Sequence, residues 1–235
     1  DIYLMLGILH GRYLHQYDRA VDRLERDLAQ LEEEHRPGLP EPVVTLVMDG
    51  TVERGVDVTE WAEHSMTTVL YVGLATVTDS LYAIQSLVYE RSQLSWGELF
   101  NALDGNFSGR AGEALRHRLL SAPKFGTDEE VVDELAATLA ASFCDELSGR
   151  RNRKGFAYRP AFYSWNRHVF DGSRLGATPD GRSAGMPVSQ GVNPAQGRAT
   201  EGITAALGSV GKIDLSETAG APVHLHLNGV TASRD

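Results

Sequence analysis

The 235-residue chain has one cysteine, Cys144. A single thiol closes no internal disulfide, which argues against a disulfide-stapled secreted scaffold. Positive charge is also scarce: 22 Lys and Arg stand against 32 Asp and Glu, a formal net charge of -10. That balance supplies no dominant basic face, so neither nucleic acid nor an anionic membrane is expected as the main partner. No apolar run approaches the ~20 residues of a membrane-spanning helix. The opening DIYLMLGILHGRY carries no positive n-region and no small-residue cleavage site, so it does not read as a signal peptide. Together these point to a cytoplasmic location. The chain starts on Asp1 rather than Met and reads as a segment of something larger. Internal repeats and low-complexity tracts are missing too.

What is present is an ordinary globular composition, 42% hydrophobic. Leu6, Leu9, Tyr13, Tyr17, Val21, Leu24, Leu28 and Leu31 recur at helical spacing and predict one long helix over 2–34. RPGLPEP (36–42) ends it, and VVTLVMDG (43–50) suits either a buried strand or a helix start. A second amphipathic helix is predicted over 73–90 on Leu74, Val77, Leu81, Ile84 and Val88. Asp79 and Ser80 interrupt its pattern; such a polar pair caps the helix or bridges to a neighbour. Ser95 with Glu98 and Thr127 with Glu130 read as capping boxes. Val131, Leu135, Leu139, Phe143 and Leu147 form a four-residue stripe that Gly149 ends. PVHLHL (222–227) alternates as a strand should. Helices alternating with short apolar runs predict an α/β architecture with parallel strands.

Several chemistries fail on residue grounds. GSVGKI (208–213) has Ala206 where a phosphate loop needs Gly and Ile213 where it needs Ser or Thr, so neither the backbone nest nor the magnesium hydroxyl is there. No G-x-S-x-G elbow supports a serine triad. His10 and His15, five apart on a helix, do not share a face. Cys144 follows Phe143 inside a helix and reads as a small packed side chain. His224 and His226, two apart on a strand, face one way. That spacing suits two metal ligands, but no carboxylate or thiol cluster accompanies them, and a polar cavity lining or an exposed face is the plainer role. The basic cluster Arg150, Arg151, Arg153 and Lys154 follows a helix and reads as a solvated end that complements its dipole. One irregular stretch is left unexplained, RLGATPDGRSAGMPVSQGVNPAQG (174–197). It is too specific in sequence for a linker, and its Asp180 and Arg182 are expected to fix a turn by charge-assisted hydrogen bonds.

GATPDGRSAGMPVSQGVNPAQG (176–197), followed by GITAALGSVGKID (202–214), resembles the signature region of the glycyl radical enzymes. This is the pyruvate formate-lyase-like family, with diol and glycerol dehydratases, choline lyase and related C–X lyases. PEPVVTLVMDGTVERGVDV, VGLATVTDSLYAIQSLVYE, LSWGELFNALDGNF and APKFGTDEEVVDEL resemble further family segments in order. The likeness covers most of residues 40–220, and Thr178, Pro179, Asp180, Gly181 and Arg182 are its most specific run.

The resemblance implies an α/β fold that is part of a ten-stranded barrel made of two five-stranded halves. Inside it a Cys loop, G-C-x-E, meets a glycyl radical loop, R-V-x-G-Y. It implies a radical installed by an S-adenosylmethionine iron–sulfur activating enzyme, a small polar substrate attacked by a thiyl radical, and a homodimer. This chain has neither loop motif. The family's order puts them before residue 1 and after residue 235. The expectation is therefore a barrel segment over 1–235, helical to about 150 and carrying the signature loop and strands from about 151 to 235. No catalytic residue and no metal are expected in it. Residues 178–182 would be structural, and His224 and His226 would line the substrate cavity. LSWGELFNAL and KFGTD favour a lyase or dehydratase cleaving a C–O, C–N or C–C bond. Formate C-acetyltransferase and a non-catalytic relative of the barrel are the alternatives. GAPVHLHL, SQGVNP and HSMTTVLY depart from the family's usual residues and leave the substrate open.

Overall fold

Pro42 opens the first described helix, where its missing N–H costs nothing. The computed structural model describes residues 40–62, 65–152 and 155–225, together with Asp22, Arg23 and Arg26. Most of the helix predicted over 2–34, with His10 and His15, lies outside the described residues. The chain divides into two units, Asp1–Val69 with Asp145–Arg159, and Leu70–Cys144 with Pro160–Asp235.

In the first unit, α1 (Pro42–Val47) settles VVTLVMDG as a helix, and none of its residues is buried. The short α2 (Thr51–Arg54) follows. One carboxylate ties this corner: Asp57 accepts from the Glu41 N–H at 3.0 Å and the Thr45 hydroxyl at 2.9 Å. β1 (Met66–Leu70) pairs with β2 (Ala157–Ala161). The expected set of parallel strands comes down, among the described residues, to this one pair. Ahead of β2, Asn152 donates from its side chain to the Thr67 hydroxyl at 3.0 Å. Arg150 behaves as the charge pattern predicts, donating to the Glu146 carbonyl at 2.8 Å and pairing with the Glu146 carboxylate. Arg151 donates to the Gly155 carbonyl; Arg153 and Lys154 lie outside the described residues.

The second unit holds most of the core. α3 (Leu74–Ile84) runs on into a π-helical turn, Gln85–Glu90. α4 (Trp96–Asp104) starts on the predicted capping box, Ser95 and Glu98 each bonding the other's backbone N–H. α5 (Gly109–Leu120) was not legible in the sequence. Ala83, Leu87, Leu94, Leu99, Phe107, Leu115 and Leu119 from these elements make one buried cluster. Tyr71, Phe143 and Phe162 make a second, with ring centroids 5.0–5.6 Å apart. Edge-to-face geometry in two of these three pairs suits the rings' quadrupoles.

α6 (Glu130–Leu147) corrects two expectations. The helix begins at Glu130 itself, so Glu130 is not three residues in, and the Thr127 hydroxyl donates instead to the Lys124 carbonyl at 2.8 Å. The buried face runs through Val132, Ala136, Leu139, Ala140, Phe143 and Leu147, while Val131 is exposed. Gly149 does follow the helix end, with φ of 74°. α7 (Arg167–Gly172) and α8 (Gly202–Gly211) flank the long irregular stretch. The strand expected at PVHLHL is not formed over Pro222–Leu225, which has no regular structure, and His226 lies outside the described residues.

Candidate functional site

The predicted stripe of α3 is not its most buried face. Thr76, Thr78, Asp79, Ser80 and Ala83 are buried, whereas Val77, Leu81 and Ile84 are half-buried. The polar face is the inner one because the irregular stretch 174–197 lies against it. Ser80 accepts the Asp180 N–H at 3.2 Å and passes its own proton to the Thr76 carbonyl at 2.6 Å. Thr76 and Ser189 bond reciprocally: the Thr76 N–H donates to the Ser189 hydroxyl at 3.1 Å, and the Ser189 N–H to the Thr76 hydroxyl at 2.8 Å. Together these bonds satisfy three buried backbone N–H groups, those of Asp180, Thr76 and Ser189. Asp79 accepts the Phe125 N–H at 2.7 Å, which fixes the turn before α6.

α5 clamps the other side. Arg116 donates from Nε to the Gly181 carbonyl at 2.9 Å, and the Asn106 side chain accepts the Ala184 N–H at 2.7 Å. Gly181 has φ of 94°, and a Cβ there would stand 2.6 Å from a Leu120 methyl. Only glycine meets both demands. Gly126 is held the same way, with φ of 98° and Pro194 filling the space of a side chain.

Within the turn, the Thr178 hydroxyl and the Arg182 N–H both donate to Asp180. Asp180 and Arg182 thus both make hydrogen bonds within the turn. The Arg182 guanidinium donates to the Thr178 hydroxyl and to the carbonyls of Gly176, Ser183 and Met186. It ties four backbone or side-chain oxygens of the loop together, which suits a rigid planar fork. Pro179 and Gly181 complete the bend, with Pro179 half-buried.

Behind the turn lies a buried charged cluster. Burial pushes the Asp79 carboxyl up to about 7, against the Phe125 hydrogen bond and the Lys124 charge, which favour ionisation. The second carboxylate oxygen of Asp79 is buried and has no hydrogen-bond partner among the described residues. Burial likewise raises Asp180, opposed by the Thr178 hydroxyl, and lowers Lys124, opposed by Asp79 and Asp180. Lys124 spends a hydrogen bond on the Leu119 carbonyl at 2.7 Å.

An open cavity of about 400 Å³ lies at the far end of the stretch, lined by Tyr163, Ser164, Trp165, Gln190, Asn193 and His224 among others. That size suits a small ligand. Asn193 organises its wall: the side-chain oxygen accepts the His224 N–H at 2.7 Å, and the amide nitrogen donates to the Gln190 carbonyl at 2.8 Å. The His224 ring meets the Gln190 amide at 3.3 Å. Trp165 stacks on Tyr163 at the cavity and is held at φ of 43°, a costly conformation for an aromatic residue. Of the two histidines, then, His224 lines a cavity. No group of three metal-ligating side chains occurs among the described residues.

Lys212, the lysine of GSVGKI, is engaged elsewhere. It pairs with Asp128, Glu130 and Asp133 at 3.1, 2.8 and 2.9 Å, and the Glu130 and Asp133 bonds raise its pKa. Cys144 is half-buried within α6 and is not among the residues lining the cavity.

A buried polar staple thus holds an irregular loop, with a ligand-sized cavity at its end. The family model described as pyruvate formate lyase-like matches residues 6–172. The chain is 33% identical over 184 residues to trans-4-hydroxy-L-proline dehydratase of Clostridioides difficile, covering 77% of this chain and 23% of that protein. It is 36% identical over 140 residues to isethionate sulfite-lyase of Bilophila wadsworthia, covering 58% and 16%. Among solved structures, the glycerol-bound B12-independent glycerol dehydratase of Clostridium butyricum superposes with a TM-score of 0.71 at 34% identity, covering 77% and 23%. The chain belongs to the pyruvate formate lyase-like family of glycyl radical enzymes. It spans about a quarter of the length of these relatives.

The sequence reading singled out the 178–182 run and His224 but assigned nothing to Thr76, Lys124, Arg116, Gln190 or Asn193. The interruption of the apolar helix by Asp79 and Ser80 was the one visible signal of the staple.

Proposed function

We propose that this chain is a wall section of the family's ten-stranded barrel, in a protein that is a dehydratase or lyase. Such an enzyme would cleave a C–O, C–N or C–C bond of a small polar substrate. What supports the reading is the run of dehydratase and lyase relatives matched at 33–36% identity. The glycyl radical does not fit any residue here: R-V-x-G-Y and G-C-x-E are missing from the sequence, and the one thiol sits inside α6. We therefore derive no step through the radical in this chain, and assign it no catalytic residue. A radical S-adenosylmethionine activating enzyme would act on a part of the protein outside these residues. The full protein is proposed as a cytoplasmic homodimer.

This chain's own residues do three things in that reading. The staple from Thr76, Ser80 and Arg116 holds Thr178–Arg182 still. Ser189, bonded to Thr76, sets the position of Gln190 and Asn193. Gln190, Asn193 and His224 then offer amide and imidazole groups to a polar substrate, with the Tyr163 and Trp165 rings excluding water. The test is anaerobic incubation of the full-length protein with its activating enzyme and S-adenosylmethionine. A glycyl doublet in the EPR spectrum is expected. Its absence under conditions that activate a known dehydratase would leave the non-catalytic relative as the reading.

A further inference from the structure

We infer that the small cavity beside the Thr178–Arg182 turn is a seat for an oxyanion, distinct from the cavity at His224. It has a volume of about 100 Å³ and is lined by Arg116, Arg182, Arg198, Asp180, Thr76 and Gln196 among others. That is several times the room one water needs and well below the size of a drug-sized ligand site. Three guanidinium-bearing residues against one carboxylate leave the lining with a surplus of positive charge.

Those three arginines are not equally committed. Arg182 is buried, and its donors are turned to the loop's own oxygens, as described above. Arg116 uses Nε on the Gly181 carbonyl, and both of its terminal NH₂ groups have no partner among the described residues. Arg198 is half-buried, and its side chain has no hydrogen bond or ion pair among the described residues. It shares the cavity wall with Asp180, Arg182 and Arg116. Asp180 is the one carboxylate among the residues lining the cavity. A half-buried guanidinium without an acceptor is costly, and planar forks match the paired oxygens of phosphate, sulfate or carboxylate. The Thr76 and Gln196 side chains add neutral polar groups to the wall.

The oxyanion has two sources with one chemistry: a free small anion, or a carboxylate side chain of the longer protein. The probe is inorganic phosphate, titrated calorimetrically into the full-length protein in a chloride background of matched ionic strength. Saturable binding is expected, weakened about tenfold or more by Arg198→Ala and by Arg116→Ala, as expected for lost bonds to a charged group. Arg198→Lys keeps the charge without the fork and should fall between, and circular dichroism checks that each variant is folded. No phosphate binding, together with a crystal structure showing a carboxylate of the protein on Arg116 and Arg198, also supports the seat and identifies its occupant. Phosphate binding unchanged in both alanine variants, or no binding with the cavity empty, overturns it. The outcome does not depend on whether the protein carries a radical.

Discussion

α1 and the 174–197 stretch are opposites. α1 is regular helix, yet it buries nothing, with Val43, Leu46 and Val47 each more than 70% exposed. The 174–197 stretch has no helix or strand beyond residue 174, yet it buries Asp180, Arg182, Val188, Ser189, Val192 and Asn193. Order in the first comes from backbone bonds and one carboxylate, Asp57. Order in the second comes from side chains of α3 and α5 that satisfy its backbone one group at a time. Regular structure and burial are thus separate properties, and the irregular segment is the one anchored in a core.

Substitutions at four positions and one pH series press on that contrast. The largest effect is expected for Asp79→Ala, which removes the acceptor of the buried Phe125 N–H and empties the space of a fully buried side chain. Together these cost about 3 kcal/mol in denaturant unfolding. Asp79→Asn should cost less, because its amide oxygen still accepts the Phe125 N–H. Next comes Gly181→Ala, which meets both a positive φ and the Leu120 side chain; about 2–3 kcal/mol is expected, and a neutral result would show that the turn is soft. Thr76→Val deletes the hydroxyl half of the reciprocal pair with Ser189 and leaves a buried N–H unpaired, for about 1–2 kcal/mol. At the small end, Leu46→Glu on α1 should change stability by less than about 0.5 kcal/mol. It should instead reduce self-association of the segment in sedimentation, since exposed apolar faces drive that.

The pH dependence follows from Asp79. Its folded pKa, about 7, lies above the ordinary carboxyl value of 3.8. The folded state therefore holds the proton more tightly, so this contribution is fully present below about pH 3.8 and is lost as pH rises towards 7. Asp180 is shifted in the same direction by the same cause. Unfolding free energy measured from pH 4 to 7 should fall more steeply in the wild type than in Asp79→Asn. Equal slopes would show that Asp79 is ionised throughout.

The sequence made some of this legible and hid the rest for physical reasons. The Ser95–Glu98 box was readable because both partners lie within one turn. The staple was not, because Asp79 and Ser80 find their partners 46 and 100 residues away. α5 was hidden by Gly109 and Gly112 at its start and by charges at Arg110, Glu113, Arg116 and Arg118 that blur its apolar spacing. Val131 looked buried because Val132 beside it is equally apolar, and only packing decides between them. PVHLHL alternates like a strand, but over Pro222–Leu225 it is irregular, with the Pro222 carbonyl and the His224 N–H bonded to the Asn193 side chain. His224 lines a cavity, but the strand on which the alternation placed it is not formed over Pro222–Leu225.

The central claim is that these residues build and hold the wall while the chemistry lies elsewhere in the protein. Cys144→Ser tests it most directly, because Cys144 is the one thiol available here. The full-length variant, activated anaerobically beside the wild type, should give the same EPR doublet and the same turnover of a dehydratase substrate. Loss of turnover with the doublet retained would make Cys144 the radical-bearing thiol and contradict the account.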